Sequence, residues 1–148
     1  MARNRMIKTD FWDDETLSLI SRDARLTFVG MWNFSDDRGV IKGKPVWLKN
    51  QIYPYDDELS IEAFTTWLEE LEGIKVILPF TVNNEKYYFI KNFLKHQQIS
   101  HPSSWRNPDP PEEFTAFFGG TTGGLPEDYR RTPVRNLNLN RSQNQSRN

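Results

Sequence analysis

The side chains in this sequence that can do chemistry are mostly cations, and they come in groups. Arg3, Arg5 and Lys8 lie at the start, Arg38 precedes Lys42, Lys44 and Lys49, and Lys91 and Lys95 stand with His96 beside them. Clustered cations draw in phosphates and release counterions, so the chemistry to expect is salt-dependent binding of nucleic acid. A basic N-terminal arm can also track phosphates or enter a minor groove. The competing reading is a solvated basic surface that keeps the chain soluble. Trp47, between Lys44 and Lys49, is the best-placed aromatic for a base or a partner. Its competing role is to pack beneath a β-hairpin. The stretch Asn83-Asn84-Glu85-Lys86 is polar and able to hydrogen-bond to a groove without being strongly basic.

Catalysis finds little support. There is no cysteine, which excludes a thiolate nucleophile, a thiolate metal site and a disulfide framework. His96 and His101 are the only histidines, five residues apart with no carboxylate between them, a poor metal pair. The clusters Asp13-Asp14-Glu15 and Asp36-Asp37 read as caps and turns, because no nucleotide-binding loop accompanies them. Gly119 to Gly124 is not a phosphate loop, since no Gly-Lys-Ser/Thr follows. The chain is therefore expected not to be an enzyme, and to need neither cofactor nor metal.

Among its 148 residues the net charge is only −1, but the charge is segregated. Residues 1–50 sum to +2, residues 51–90 to −6 and residues 91–148 to +3. The acid is concentrated at Glu58, Glu62, Glu69, Glu70 and Glu72, with no Lys or Arg in residues 59–72. That stretch reads as a solvated face, as a protein-contact surface, or as a sign that DNA meets other elements. No apolar run approaches the ~18 residues of a membrane span, and the basic start lacks a signal-peptide apolar stretch. The expectation is a soluble cytoplasmic protein with no membrane partner.

These residues need elements to position them. Ser21 to Ser35 predicts a helix with Ser21 as N-cap and Ala24, Phe28, Met31 and Trp32 on its apolar stripe, widened by Leu26 and Val29. A shorter amphipathic piece from Asp13 to Ile20 precedes it, with Phe11, Trp12, Leu17 and Ile20 docking on the same core. Residues 39–43 predict a brief strand between glycines. Pro45 suits the first turn of a second helix with Val46, Leu48 and Ile52 inward, and Pro54 closes it. Ser60 caps a third helix with Ile61, Phe64, Leu68 and Leu71 on one face and Gly73 as its stop. Ile74 to Val82 and Lys86 to Phe93 predict the two strands of a hairpin.

The expected organisation is a domain over residues 1–100, a Pro/Gly-rich extension over 101–128 with a helical turn near Phe114 to Phe118, and a polar, Arg-containing tail over 129–148. The tail holds five Arg and no acid, and its composition predicts disorder. It is a second candidate for electrostatic help in DNA binding. Helix, strand, helix, helix, strand, turn, strand is the order of an α+β winged helix-turn-helix: a three-helix core with a β-hairpin wing. Such domains also serve as plain protein-contact modules.

Several motifs resemble the opening of phage replisome-organiser proteins, whose N-terminal domain is DnaD-like. They are Met6-Ile-Lys-Thr-Asp-Phe-Trp-Asp-Asp-Glu, Ser21-Arg-Asp-Ala-Arg-Leu, Trp32-Asn-Phe-Ser-Asp-Asp-Arg-Gly, Gln51-Ile-Tyr-Pro-Tyr-Asp-Asp and Asn92-Phe-Leu-Lys-His-Gln-Gln-Ile. The resemblance spans roughly residues 3–111. It implies a winged-helix module that binds double-stranded DNA at a replication origin in the host bacterial cytoplasm, self-associates, and meets replisome proteins such as a helicase or its loader. Many relatives of that kind carry a second, C-terminal domain, where the composition of this sequence leads us to expect a disordered tail. The alternatives are a winged-helix protein-interaction module and a transcriptional repressor.

Overall fold

The computed structural model describes residues 2–103 and 107–117. The Gly-rich stretch Gly119 to Gly124 and the tail expected over 129–148 lie outside these residues. The described chain is α+β. Its helices are α1 (Arg22–Phe34), α2 (Pro45–Ile52), α3 (Ile61–Gly73) and a single turn, α4 (Phe93–His96). Its strands are β1 (Val40–Lys42), β2 (Ile77–Val82) and β3 (Glu85–Ile90). The strands form one antiparallel sheet in the order β1-β3-β2. None of the described helices is long and apolar enough to cross a membrane.

Local chemistry accounts for most boundaries. Ser21 Oγ accepts from the Ala24 N–H and Ser60 Oγ from the Ala63 N–H, so both long helices start on a serine cap. Pro45 opens α2, where its missing N–H costs nothing. The piece expected between Asp13 and Ile20 is instead two 3₁₀ turns, Thr9–Asp13 and Leu17–Leu19, too short and interrupted to propagate a helix. Asn83 and Asn84 are both left-handed (φ 53° and 66°). That is the two-residue hairpin turn whose twist matches the strands it joins. Pro79 is tolerated in β2 because β2 is an edge strand.

Gly73 does not stop α3 in the way its identity suggests. It is the helix's last residue, Ile74 caps it, and the left-handed position falls on Lys75 (φ 64°). A Cβ on Gly73 would meet nothing within 4 Å. Gly73→Ala should therefore raise stability by about 0.5–1 kcal/mol through helix propensity alone. A higher urea midpoint at unchanged slope would show it, and a lower midpoint would refute the assignment.

The main core lies between α1, α2, α3 and one face of the sheet. Ala24, Phe28, Met31 and Trp32 of α1 meet Phe64, Leu68 and Leu71 of α3 and Tyr88 and Ile90 of β3. Three apolar residues expected inward point out: Trp12 is 72 % exposed, Leu26 56 % and Val46 52 %. The sheet's other face is also apolar. Val40, Phe80 and Phe89 form a second cluster there, with Phe114 from the extension packed against them. The expected turn near Phe114 is a 3₁₀ turn over Glu112–Phe117.

Candidate nucleic-acid interface

A tight turn between α1 and β1 sets the position of the first lysines. Asp36 Oδ1 accepts from the N–H groups of Arg38 (2.9 Å) and Val40 (3.0 Å), and Gly39 N–H reaches the Asp36 carbonyl (3.0 Å). The strand that follows ends at Lys42, and Gly43 N–H donates to the Lys86 carbonyl at 2.8 Å. Gly43 lies so close to β3 that a Cβ there would stand 3.0 Å from Lys86 Cγ. Lys42 and Lys44 therefore flank a backbone contact with Lys86, which places three cations separated by up to 44 positions at the same end of the sheet.

The environments of these three differ. Lys42 is exposed, with its Nζ 5.6 Å from the centre of the Trp47 ring. Lys44 is exposed and, among the described residues, forms no salt bridge. Lys86 Nζ lies over the Tyr88 ring (4.8 Å) and 3.6 Å from Glu72 Oε2, so part of its charge is answered internally. The same Glu72 oxygen accepts the Tyr88 hydroxyl at 2.6 Å. Burial, followed by that hydrogen bond and the Glu72 charge, pushes the Tyr88 hydroxyl far above its ordinary range. Trp47 is half-buried on the main core, so packing and a cation-facing role coexist in one ring. Lys49 is half-buried in the last turn of α2, about 140° around the helix from Lys44 at 100° per residue. Asn83 and Asn84 stand exposed at the hairpin tip.

A second group sits beyond the other end of β3. Lys8 and Lys95 are exposed, and Lys8 Nζ donates to the Lys95 carbonyl at 3.3 Å. Partial burial, then the two lysine charges, hold His96 below its ordinary value. Lys91 follows the strand, its N–H bonded to the Val76 carbonyl at 3.0 Å. From Lys86 to Lys91 is about 16 Å at 3.3 Å per residue. The cations thus form two groups at opposite ends of a strand, not one continuous surface.

Two of the expected contact residues, Arg38 and Arg5, are withdrawn from solvent, and a third, Arg3, is half-buried with its charge paired. Arg38 is fully buried, its Nη1 donating to Asp109 Oδ1 at 2.6 Å and its Nη2 to the carbonyls of Asn107 (2.9 Å) and Pro108 (3.3 Å). A duplex cannot reach it in this arrangement. Arg5 has a side chain only 3 % exposed, 3.1 Å from Asp37, and donates to the carbonyls of Trp32, Ser35 and Asp36. Arg3 pairs with the same Asp37 carboxylate at 2.5 Å. The N-terminal arm is therefore not a mobile basic tether. Residues 3–6 are strapped down, with Asn33 bonding both ways to the Arg3 backbone and Gln97 both ways to that of Met6.

The acidic helix also changes meaning. Glu70 accepts from the N–H and hydroxyl of Ser21 (2.7 and 3.0 Å), holding the start of α1, and Glu72 serves Tyr88 and Lys86. The remaining solvent stripe on α3 is Glu62, Thr66 and Glu69. The Asp37 pairs carry no local sequence signal, because the partners lie 32 and 34 positions away.

No protein-family model, curated protein or solved structure matches this chain. Among the described residues, no three histidine, aspartate or glutamate side chains group closely enough to hold a metal ion.

Proposed function

We propose that this chain is a winged helix-turn-helix module that binds double-stranded DNA and acts in replication initiation in a bacterial cytoplasm, by binding and assembly. The observation that carries the reading is the edge where Lys42 and Lys44 stand exposed beside Lys86, next to the hairpin tip Asn83-Asn84. The element order α1-β1-α2-α3-β2-β3 and the sheet order β1-β3-β2 support it, since a winged helix with the β2–β3 hairpin as its wing would have both. Phosphates would repel Glu62 and Glu69. The duplex therefore meets the β1–α2 edge and the wing, with Lys42, Lys44 and Lys86 on the backbone and Asn83 and Asn84 towards a groove. Lys8, Lys95 and His96 form a separate, subsidiary contact. The replication role, with helicase or helicase-loader partners and self-association, draws on the resemblance to replisome organisers.

The test is duplex binding across a salt series. Each phosphate contact contributes about 0.9 to the slope of log affinity against log salt. Lys42→Ala with Lys44→Ala should lower that slope by roughly 2 and weaken binding between about tenfold and a hundredfold at 0.1 M salt. Unchanged affinity and slope in a gel-shift or anisotropy titration would refute the assignment. The stripe of Glu62, Thr66 and Glu69 favours a second reading, a module that binds protein. Background DNA affinity, together with a partner lost on Glu62→Lys and Glu69→Lys, would establish it in place of the first.

A further inference from the structure

We propose that the outer face of the sheet is a peptide-docking groove, filled here by the chain's own residues 107–117. Its partner is a proline-containing segment with a carboxylate and, five positions later, an aromatic side chain presented from a helical turn. The groove reads its occupant at two places. At one, Arg38 grips the Asp109 carboxylate and the carbonyls of Asn107 and Pro108. The Asn107 amide completes that grip, donating to the Val40 carbonyl at 2.9 Å and to Asp36 Oδ2 at 3.2 Å. At the other, Phe114 stacks on Phe89 (5.8 Å between centroids, 19° between planes) and meets the edge of Phe80 (6.2 Å, 77°).

Three features make this the geometry of a bound ligand. The floor of Val40, Phe80 and Phe89 is a cluster separate from the main core. Residues 107–117 add no strand to the three-stranded sheet and are held by side chains and by carbonyls facing Arg38. Pro108, Pro110 and Pro111 restrict residues 107–111 before the segment docks, and the 3₁₀ turn that follows carries Phe114, so the ordering cost is lowered as in other proline-rich ligands of aromatic grooves. The charge on Arg38 selects a carboxylate, and the spacing from Asp109 to Phe114 sets the distance to the aromatic seat. The groove is independent of the proposed DNA-binding edge, and its test uses no DNA.

A tethered segment competes at an effective concentration on the order of mM, so the resident copy must be weakened to reveal the site. The probe is a fluorescein-labelled synthetic peptide of residues 107–117, titrated by anisotropy into the full chain carrying Asp109→Ala and Phe114→Ala. Saturable binding is expected, at least tenfold tighter than to the wild-type chain and at least tenfold weaker when the peptide itself carries either change. No saturable binding to a cooperatively folding variant, or equal binding of a scrambled peptide, overturns the proposal. If the variant does not fold, hydrogen exchange on the wild-type chain decides. Residues 107–117 should lose protection well before the amides of α1 and α3, and equal protection would make the segment integral to the fold and overturn the proposal. A wild-type dimer that forms with concentration and is lost on Phe114→Ala would assign the groove to a second copy and equally overturn the reading.

Discussion

Asp37→Ala is expected to destabilise the protein by about 3–5 kcal/mol, the usual cost of removing one partner from a buried charge pair. The Asp37 side chain is fully buried. Its Oδ2 accepts from Arg3 Nη1, from the Ser103 N–H (2.9 Å) and from the Ser103 hydroxyl (3.2 Å), while Oδ1 stands 3.1 Å from Arg5 Nη1. Removing the carboxylate leaves the Arg5 guanidinium buried against carbonyl oxygens and the Phe93 ring (4.9 Å), with its counter-charge gone. Burial already draws Arg5 below its ordinary value and Asp37 opposes that shift, so the pair is held by the attraction the substitution deletes. At about 4–8 °C per kcal/mol for a domain of this size, the melting temperature should fall by at least about 12 °C. Asp37→Asn keeps the acceptor for Ser103 but not the charge, and should fall between the two. A loss of only a few degrees in Asp37→Ala, measured by circular dichroism, would show that the pair contributes little.

Gly39→Ala should be nearly as damaging, by a different route. Gly39 has φ +91°, where a side chain is disfavoured by about 1–2 kcal/mol. A Cβ there would also stand 2.6 Å from Phe93 Cβ and 2.8 Å from its Cγ. Phe93 is buried at the start of α4 with Arg5 over its ring, so it has little room to retreat. Overpacking of this kind adds about 1–3 kcal/mol, for a total near 2–5 kcal/mol. Denaturant unfolding beside Gly73→Ala checks it, because the two substitutions should move the midpoint in opposite directions. A Gly39→Ala midpoint within error of wild type would mean that the turn relaxes easily.

What could be read from the sequence followed from how local the cause was. The serine caps at Ser21 and Ser60, the proline opening α2, the glycine-bounded strand and the Asn83-Asn84 hairpin each depend on a few neighbouring residues, and all were legible. The apolar stripe of α1 was read correctly at Ala24, Phe28, Met31 and Trp32 but too widely at Leu26, since periodicity does not say how broad the facing surface is. Gly73 misled because residue type marks where a left-handed position is cheap, and the chain placed it at Lys75. The candidate site was legible only in part. Lys42 and Lys44 are where a count of charges would put them, on the surface. Arg3, Arg5 and Arg38 look the same in such a count, yet Asp37 answers the first two from distant positions, and Arg38 is answered by Asp109 as well as by its neighbour Asp36. Glu70 and Glu72 likewise looked like surface acids and are bonded to Ser21 and Tyr88.

The Asp36-Asp37-Arg38 turn holds both ends of the described chain at once, since Arg3, Arg5, Ser103, Asn107 and Asp109 all converge on it. The two ends are therefore thermodynamically linked although a hundred positions separate them. Trimming residues 2–5 would strip Asp37 of its cations and loosen Ser103, while cutting beyond residue 100 would leave Arg38 without Asp109 and unsettle the turn from the opposite side. For anyone shortening this protein, neither residues 2–5 nor residues 103–109 can be removed without cost to the turn.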